Sequence, residues 1–177
     1  ITDNANYAIA KGTGFELTVA KAKVSVSGAN ATAVYTGEAF KKDEIIKAVF
    51  GEADLSLVNV GITYGESGKA QDKGDTATLT LTLKDGNNYE FASETVTTYT
   101  FTVTAGNVSL SGENAIVEYK GTAYSETEIK NAVFGEGTWE KFVITISYNN
   151  TEALNAGDIA TVTVTGYSDP NYSLDPE

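Results

Sequence analysis

Hydrophobic and polar residues alternate along most of this chain with a period of two. The segments TATLTLTL (76–83) and ATVTVTG (160–166) place Leu or Val at every second position, with Thr between them. Such alternation is typical of a β-strand that has one face in a core and the other in solvent. Further alternating or apolar runs predict strands at 15–28, 32–40, 55–64, 98–112, 116–124 and 141–148.

Two short segments break the alternation and predict helices. In SETEIKNAVFGEG (125–137), Ile129 and Val133 lie on one apolar stripe, and Ser125 and Glu128 have the spacing of a capping box. The related segment KKDEIIKAVFGEA (41–53) keeps the stripe but has Lys41 at the capping position, so a weaker first turn is expected. One helix covering one half-buried antiparallel sheet gives an α+β arrangement in a mainly β chain.

The two helices belong to an internal repeat. Residues 24–52 align without gaps with 108–136, and 16 of the 29 positions are identical. Further on, Gly74–Asp75 matches Gly157–Asp158, and the stretch 6–22 resembles 88–106. A period of about 84 residues indicates tandem homologous small domains, because solenoid repeats are shorter.

The boundary between the two repeat units depends on where a unit starts. If a unit starts at the Asn-Tyr motif, the chain divides into 1–88 and 89–177, and each unit is nearly complete. A boundary near 105–107 would instead leave residues 1–21 as an orphan strand and the second unit without its last strand. Because unpaired strand edges are costly, the sequence favours the first division, or a swap in which residues 1–21 complete another molecule.

Several short motifs resemble those of a known family. The order strand–strand–helix–strand–strand resembles a β-grasp. The stretch NYAIAKGTGFELTVAKA (6–22) and the Tyr-x-Gly elements in VYTGEAF (34–40) and VEYKGTAY (117–124) are similar to MBG-type repeats of large bacterial surface proteins and adhesins. The resemblance implies a stalk or adhesive module and no enzyme. The alternative fold is an immunoglobulin-like β-sandwich, which is common in the same kinds of protein.

Composition and charge narrow the possible chemistry. The chain has no His and no Cys, which removes the usual general base and the thiolate nucleophile. Its net charge of −12 disfavours a nucleic-acid partner, and no apolar stretch predicts membrane insertion. An acidic, Cys-free β protein suits the outside of a bacterium, as a cell-surface or secreted protein. The absence of Met also favours an internal fragment of a longer chain.

Candidate ligand-binding residues are those that differ between the two copies. Trp139 is the only Trp, but it occupies the position of Leu55 and is therefore expected in the core. Tyr167 and the pair Asn149–Asn150 are the other weak candidates. No catalytic, cofactor or metal site is predicted, because Asp75, Asp158 and Asp85 lie in sequences typical of turns. A Lys–Asn isopeptide bond is not expected either.

The sequence therefore predicts a non-catalytic structural or adhesive repeat module of a secreted or wall-anchored bacterial surface protein. Its partners would be neighbouring repeats of the same chain. The alternative is a carbohydrate- or mucin-binding module that uses aromatic residues of the second repeat, with a host glycan, mucin or matrix protein as ligand.

Overall fold

The computed structural model describes residue 14 and residues 16–175, and the Asn-Tyr motif at 6–7 lies outside them. These residues form ten strands and two short helices, so the chain is mainly β with an α+β character. The elements are β1 (Ala22–Val24), β2 (Ala31–Val34), α1 (Lys42–Phe50), β3 (Val58–Tyr64), β4 (Thr76–Leu83), β5 (Tyr89–Phe91), β6 (Thr98–Thr104), β7 (Gly106–Val108), α2 (Glu126–Phe134), β8 (Phe142–Tyr148), β9 (Ala160–Tyr167) and β10 (Tyr172–Leu174).

Strand pairing separates these elements into two copies of one arrangement. The first copy (22–104) has a four-stranded sheet in the order β2-β6-β4-β3 and a short parallel pair of β1 with β5. The second copy (106–175) repeats the short pair as β7 with β10, and the β3–β4 hairpin as β8 with β9.

The predicted antiparallel sheet is wrong in one respect, because the first-copy sheet is mixed. β6 pairs antiparallel with β4 but parallel with β2, and the short pairs β1–β5 and β7–β10 are parallel as well. Parallel neighbours need a long crossover between them. β2 and β6 meet this requirement, since α1 and three strands separate them along the chain.

The core of the first copy lies between its sheet and α1. Ile45, Val49 and Phe50 from the helix are buried, and they face the alternate residues Leu79 and Leu81 of β4. β6 contributes Tyr99, Phe101 and Val103, of which the last two are each only 1% exposed. The Phe101 ring packs edge-on against the Phe40 ring, with 5.3 Å between the ring centroids. The Tyr99 and Phe50 rings pack in the same way, with 5.0 Å between their centroids.

One glycine in each copy is required by the close approach of a helical phenylalanine. A Cβ added to Gly28 would lie 2.8 Å from the Phe50 ring, and one added to Gly112 would lie 2.6 Å from the Phe134 ring. Both distances are shorter than carbon–carbon contact allows. The repeated glycines therefore let the chain pass directly beneath the last turn of each helix.

The helix termini follow the sequence prediction. Ser125 Oγ accepts a hydrogen bond from the Glu128 backbone N–H, and the Glu128 carboxylate accepts one from the Ser125 N–H, which completes the capping box. In α1, the Glu44 carboxylate accepts a hydrogen bond from the Lys41 N–H. Lys has no acceptor atom, so its side chain cannot return the second bond.

Two predicted strands are mostly absent, and both absences have the same cause. The predicted strand 15–28 is reduced to Ala22–Val24, and residues 16–21 form no strand. The predicted strand 116–124 does not form, although its counterpart in the first copy, 32–40, overlaps β2. Alternating residues adopt a strand only where a neighbouring strand satisfies their backbone groups, and residues 16–21 and 116–124 pair with no strand among the described residues.

The pairing of β6 bears on the predicted boundary between units. A boundary between residues 88 and 89 would separate β5 and β6 from their partners β1, β2 and β4, whereas a boundary near 105–107 keeps these strands together. The division of the chain into domains stays a prediction, and the strand pairing favours the second position.

We expect Phe101→Ala to destabilise the first copy by about 3–5 kcal/mol, because it leaves a cavity between β6 and Phe40. Leu17 aligns with Phe101 in the repeat but is 92% exposed. Leu17→Ala should therefore change the free energy of unfolding by no more than about 0.5 kcal/mol. Urea unfolding of dilute protein, monitored by circular dichroism, measures the free energy of unfolding of both variants. Equal effects of the two substitutions would contradict the described packing.

Candidate functional site

The four predicted ligand-binding residues do not lie together. Asn149 and Asn150 follow β8, whereas Tyr167 lies at the opposite end of the β8–β9 hairpin, where it pairs with Phe142. Seven residues of strand separate these ends by roughly 20 Å. Trp139 precedes β8 beside the end of α2. A single ligand patch built from all four residues is therefore excluded by their positions.

Trp139, Asn149 and Asn150 each bind to neighbouring residues of the second copy. The Trp139 indole is half-buried, its Nε1–H donates to Asn131 Oδ1 at 2.8 Å, and the Lys130 ammonium lies 5.2 Å from its ring centroid. Asn149 Oδ1 accepts a hydrogen bond from the Ile159 N–H at 2.8 Å, and Asn150 Nδ2 donates to Asp158. These contacts hold the helix exit and the β8–β9 loop in place.

The repeated aspartates organise turns. Asp75 Oδ2 accepts hydrogen bonds from two backbone N–H groups before β4, and Asp158 Oδ2 accepts from the matching pair, Leu154 and Asn155. The Asn155 N–H is the main cause that lowers the pKa of Asp158, because it favours the charged form. Across residues 14 and 16–175, no group of three or more acidic side chains converges as a metal site.

The junction between the two copies is short and well packed. β6 ends at Thr104 and β7 begins at Gly106, which leaves one residue between the two strands. The Tyr172 ring packs edge-on against Tyr35 of the first copy at 5.4 Å, and Tyr167 packs against the same Tyr172 ring. Aromatic pairs in this arrangement add about 0.5–1.5 kcal/mol beyond the area that they bury.

Asn171 adds directional contacts at the junction. Its Oδ1 accepts a hydrogen bond from the Lys73 N–H at 2.8 Å, and its Nδ2 donates to Asp72 Oδ1 at 3.3 Å. Desolvation raises the pKa of the nearby Tyr35 hydroxyl, and the carboxylates of Asp169 and Asp72 raise it further. This hydroxyl is therefore neutral at physiological pH and carries no charge into the junction.

The second copy contains a groove that is open to solvent. It has a volume of about 400 Å³ and is walled by residues 115–119, one face of α2 and residues 153–160. Tyr119 at its rim is 67% exposed, and Ile116 is fully exposed. No sequence pattern points directly to this groove, because residues 116–124 have the pattern of a paired strand.

Comparison of the copies shows that the groove has the position that β6 occupies in the first copy. Residues 115–118 correspond to β2, and β9 corresponds to β4, which are the two strands that flank β6 in the first copy. In the part of the second copy that the structure describes, β9 pairs only with β8, and no strand lies beside residues 115–118. The helix residues Val133 and Phe134 are consequently half-buried, whereas Val49 and Phe50 are buried.

One ion pair closes the rim of the groove. The Lys120 ammonium donates to the Glu128 carboxylate, and this contact is the largest cause that lowers the pKa of Glu128 from 4.5 to about 2. The Ser125 N–H and hydroxyl lower it further. The pair ties Lys120 to the first turn of α2, at the edge of the groove.

Comparison with known proteins gives no match for this chain. No family model, no curated protein and no solved structure matches it. Within the described residues, no helix is both long enough and apolar enough to span a membrane. The geometry of the junction and of the groove is therefore the basis for a functional proposal.

We expect Glu128→Gln to lower the stability of the second copy at pH 7. Because folding lowers the pKa of Glu128, its carboxylate stabilises the fold fully above about pH 4.5, and this contribution is lost as the pH falls towards 2. The difference between the parent and the variant should therefore disappear over that interval. Urea unfolding followed by fluorescence of the single Trp, Trp139, reports on the second copy directly.

Lys120→Gln provides the control for this measurement. It removes the largest cause of the lowered pKa, so the effect of Glu128→Gln should be smaller in its presence. A difference between parent and Glu128→Gln that persists undiminished at pH 2 would contradict the assignment.

Proposed function

We propose that this chain is a non-catalytic spacer from a secreted or wall-anchored bacterial surface protein. It would consist of two tandem, homologous, β-grasp-like repeat modules that hold an adhesive region away from the cell envelope. The observation that carries the proposal is the junction, where one residue separates β6 from β7 and Tyr172 packs on Tyr35. A one-residue connection with side-chain contacts across it restricts bending between modules, as a stalk requires.

The composition and the contacts of the candidate residues support the same function. The chain lacks His, Cys and Arg, and its repeated carboxylates are engaged in turns and caps. The outward faces of β4 and β9 carry Thr, which keeps an extended molecule solvated. Recognition of a host glycan, mucin or matrix protein is the second candidate, and the half-buried Trp139 is the residue on which it would depend.

A rigid spacer should hold its two modules at a fixed separation. The chain has no Cys, so spin labels at Asn59→Cys and Ser147→Cys would be the only labels, one on each copy. Both positions are exposed on their strands. We expect pulsed electron paramagnetic resonance to give one narrow distance distribution in dilute protein.

Matched tyrosine variants test whether the junction causes the rigidity. Tyr35→Ala removes the contact with Tyr172 and should broaden the distance distribution, while the fold of each copy is retained. Tyr119 occupies the same place in the second copy and is largely exposed, so Tyr119→Ala should leave the distribution unchanged. A broad distribution in the parent chain would contradict the spacer function.

A second experiment separates the spacer from a glycan-binding module. We expect the parent chain to show no saturable binding to an array of glycans, mucins and matrix proteins. Trp139→Ala should lower the melting temperature, because it removes the hydrogen bond to Asn131 and the packing beside α2, without changing the array. Saturable binding that is lost in Trp139→Ala would instead establish recognition by the second copy.

A further inference from the structure

The second-copy groove is built to the same plan as the filled core of the first copy. The Glu113 N–H donates to Val133 O, as the Ala29 N–H donates to Val49 O. The Tyr124 N–H donates to Ala153 O, as the Phe40 N–H donates to Ala70 O. The segments that flank β6 in the first copy therefore have counterparts in the second copy that are held by the same hydrogen bonds.

In the first copy, β6 lies between the two strands that correspond to the walls of the groove. Its backbone bonds to β4 on one side and to β2 on the other, with Phe101 directly opposite both Ala77 and Ala31. Its inward side chains Phe101 and Val103 are buried, and the removal of such apolar side chains from water stabilises the inserted strand. The groove of the second copy presents the counterparts Ala160 and Ala115 without a strand between them.

The chain also carries an unpaired segment with the sequence that the groove requires. Residues 16–21 align with 100–105, which places Leu17 at the position of Phe101 and Val19 at that of Val103. These two side chains are 92% and 87% exposed, and residues 16–21 form no strand. An exposed alternating segment of this kind can add to an open sheet edge, with backbone bonds for affinity and alternate side chains for specificity.

We infer that residues 16–21 of one molecule insert into the second-copy groove of another, between β9 and residues 115–118. Thr18 then lies opposite Ile159, as Thr102 lies opposite Thr76, and Val19 lies beside Val117, as Val103 lies beside Ala33. The occupant of the groove is thus a second copy of this chain, and it supplies the strand that β6 supplies within the first copy.

The intramolecular junction provides the geometry for this contact. β6 leads directly into β7, and in the same way residues 16–21 lead directly into β1. The first copy of the donor molecule would therefore sit on the second copy of the acceptor as the two copies sit within one chain. Tyr89 of the donor would pack on the exposed Tyr119 of the acceptor, as Tyr172 packs on Tyr35.

The association is heterologous, because the donor segment and the groove are different surfaces. Each molecule offers one of each, so the contact extends head to tail and produces a series of oligomers. With a net charge of −12, two molecules repel each other at low ionic strength. Oligomers should therefore increase with protein concentration and with salt. This inference does not depend on the spacer function, since it rests only on the groove and on the exposed residues 16–21.

Cysteine trapping tests the register of insertion. In the first copy the flanking hydrogen bond joins Val103 to Asp75, so Thr76 and Thr102 form a non-hydrogen-bonded pair. Cα atoms of such pairs lie about 4.5 Å apart, within the range of a disulfide. A mixture of the single variants Thr18→Cys and Ile159→Cys in 0.15 M salt should give a disulfide-linked dimer containing one of each.

The matched control places the second cysteine on β8, which does not border the groove. Thr18→Cys mixed with Thr145→Cys should give at least tenfold less mixed dimer, although Thr145 is also exposed. Equal yields from the two mixtures, or no mixed dimer from either, would overturn the proposed insertion.

Sedimentation of unlabelled protein provides an independent measurement. The parent chain should form oligomers at high concentration, Leu17→Asp should be monomeric, and Thr18→Asp should retain association, because Leu17 takes an inward position and Thr18 does not. Residues 16–21 contact no core, so both variants should fold. A parent chain that stays monomeric would overturn the inference and favour a neighbouring segment of a longer polypeptide as occupant. Oligomers that survive Leu17→Asp would also overturn it.

Discussion

The insertion of one strand between two others is the interaction on which the rest of this structure depends. β6 satisfies the backbone edges of β2 and β4 together, and its inward side chains close the core beneath α1. The same strand therefore buries three apolar side chains, Tyr99, Phe101 and Val103, and pairs two strand edges. The first copy consequently has a continuous buried core, whereas the second copy has Ile129 as its one buried hydrophobic residue among those described.

The two copies form a natural comparison, because similar sequences are observed with and without this strand. Helix capping, the close approach of a helical phenylalanine to glycine and the aspartate turns recur in both. These features depend on contacts within a few tens of residues. Formation of β2 and burial of Val49 and Phe50 depend on β6, so their counterparts in the second copy remain unpaired or half-buried.

The same strand links packing to the proposed function. β6 completes one copy and continues after a single residue into β7 of the next, so the element that closes a core also fixes the position of the neighbouring module. If residues 16–21 act between molecules as β6 acts within one, a single kind of joint would serve both inside and between chains. Stiffness would then come from strand sharing, with the aromatic contacts of Tyr35 and Tyr172 limiting rotation at each joint.

The sequence by itself determined the type and repetition of the elements. Alternation predicted β3, β4, β6, β8 and β9, the capping box predicted the start of α2, and the internal alignment predicted matching elements in both copies. Differences between the copies singled out Trp139, Tyr167, Asn149 and Asn150. The sequence did not predict where these residues lie in the fold. Only the tertiary structure decided which strands pair, that β2 runs parallel to β6, and that residues 116–124 form no strand. The physical reason is that alternation specifies which face of a strand is buried, whereas its neighbour is chosen by distant residues that compete for the same edge.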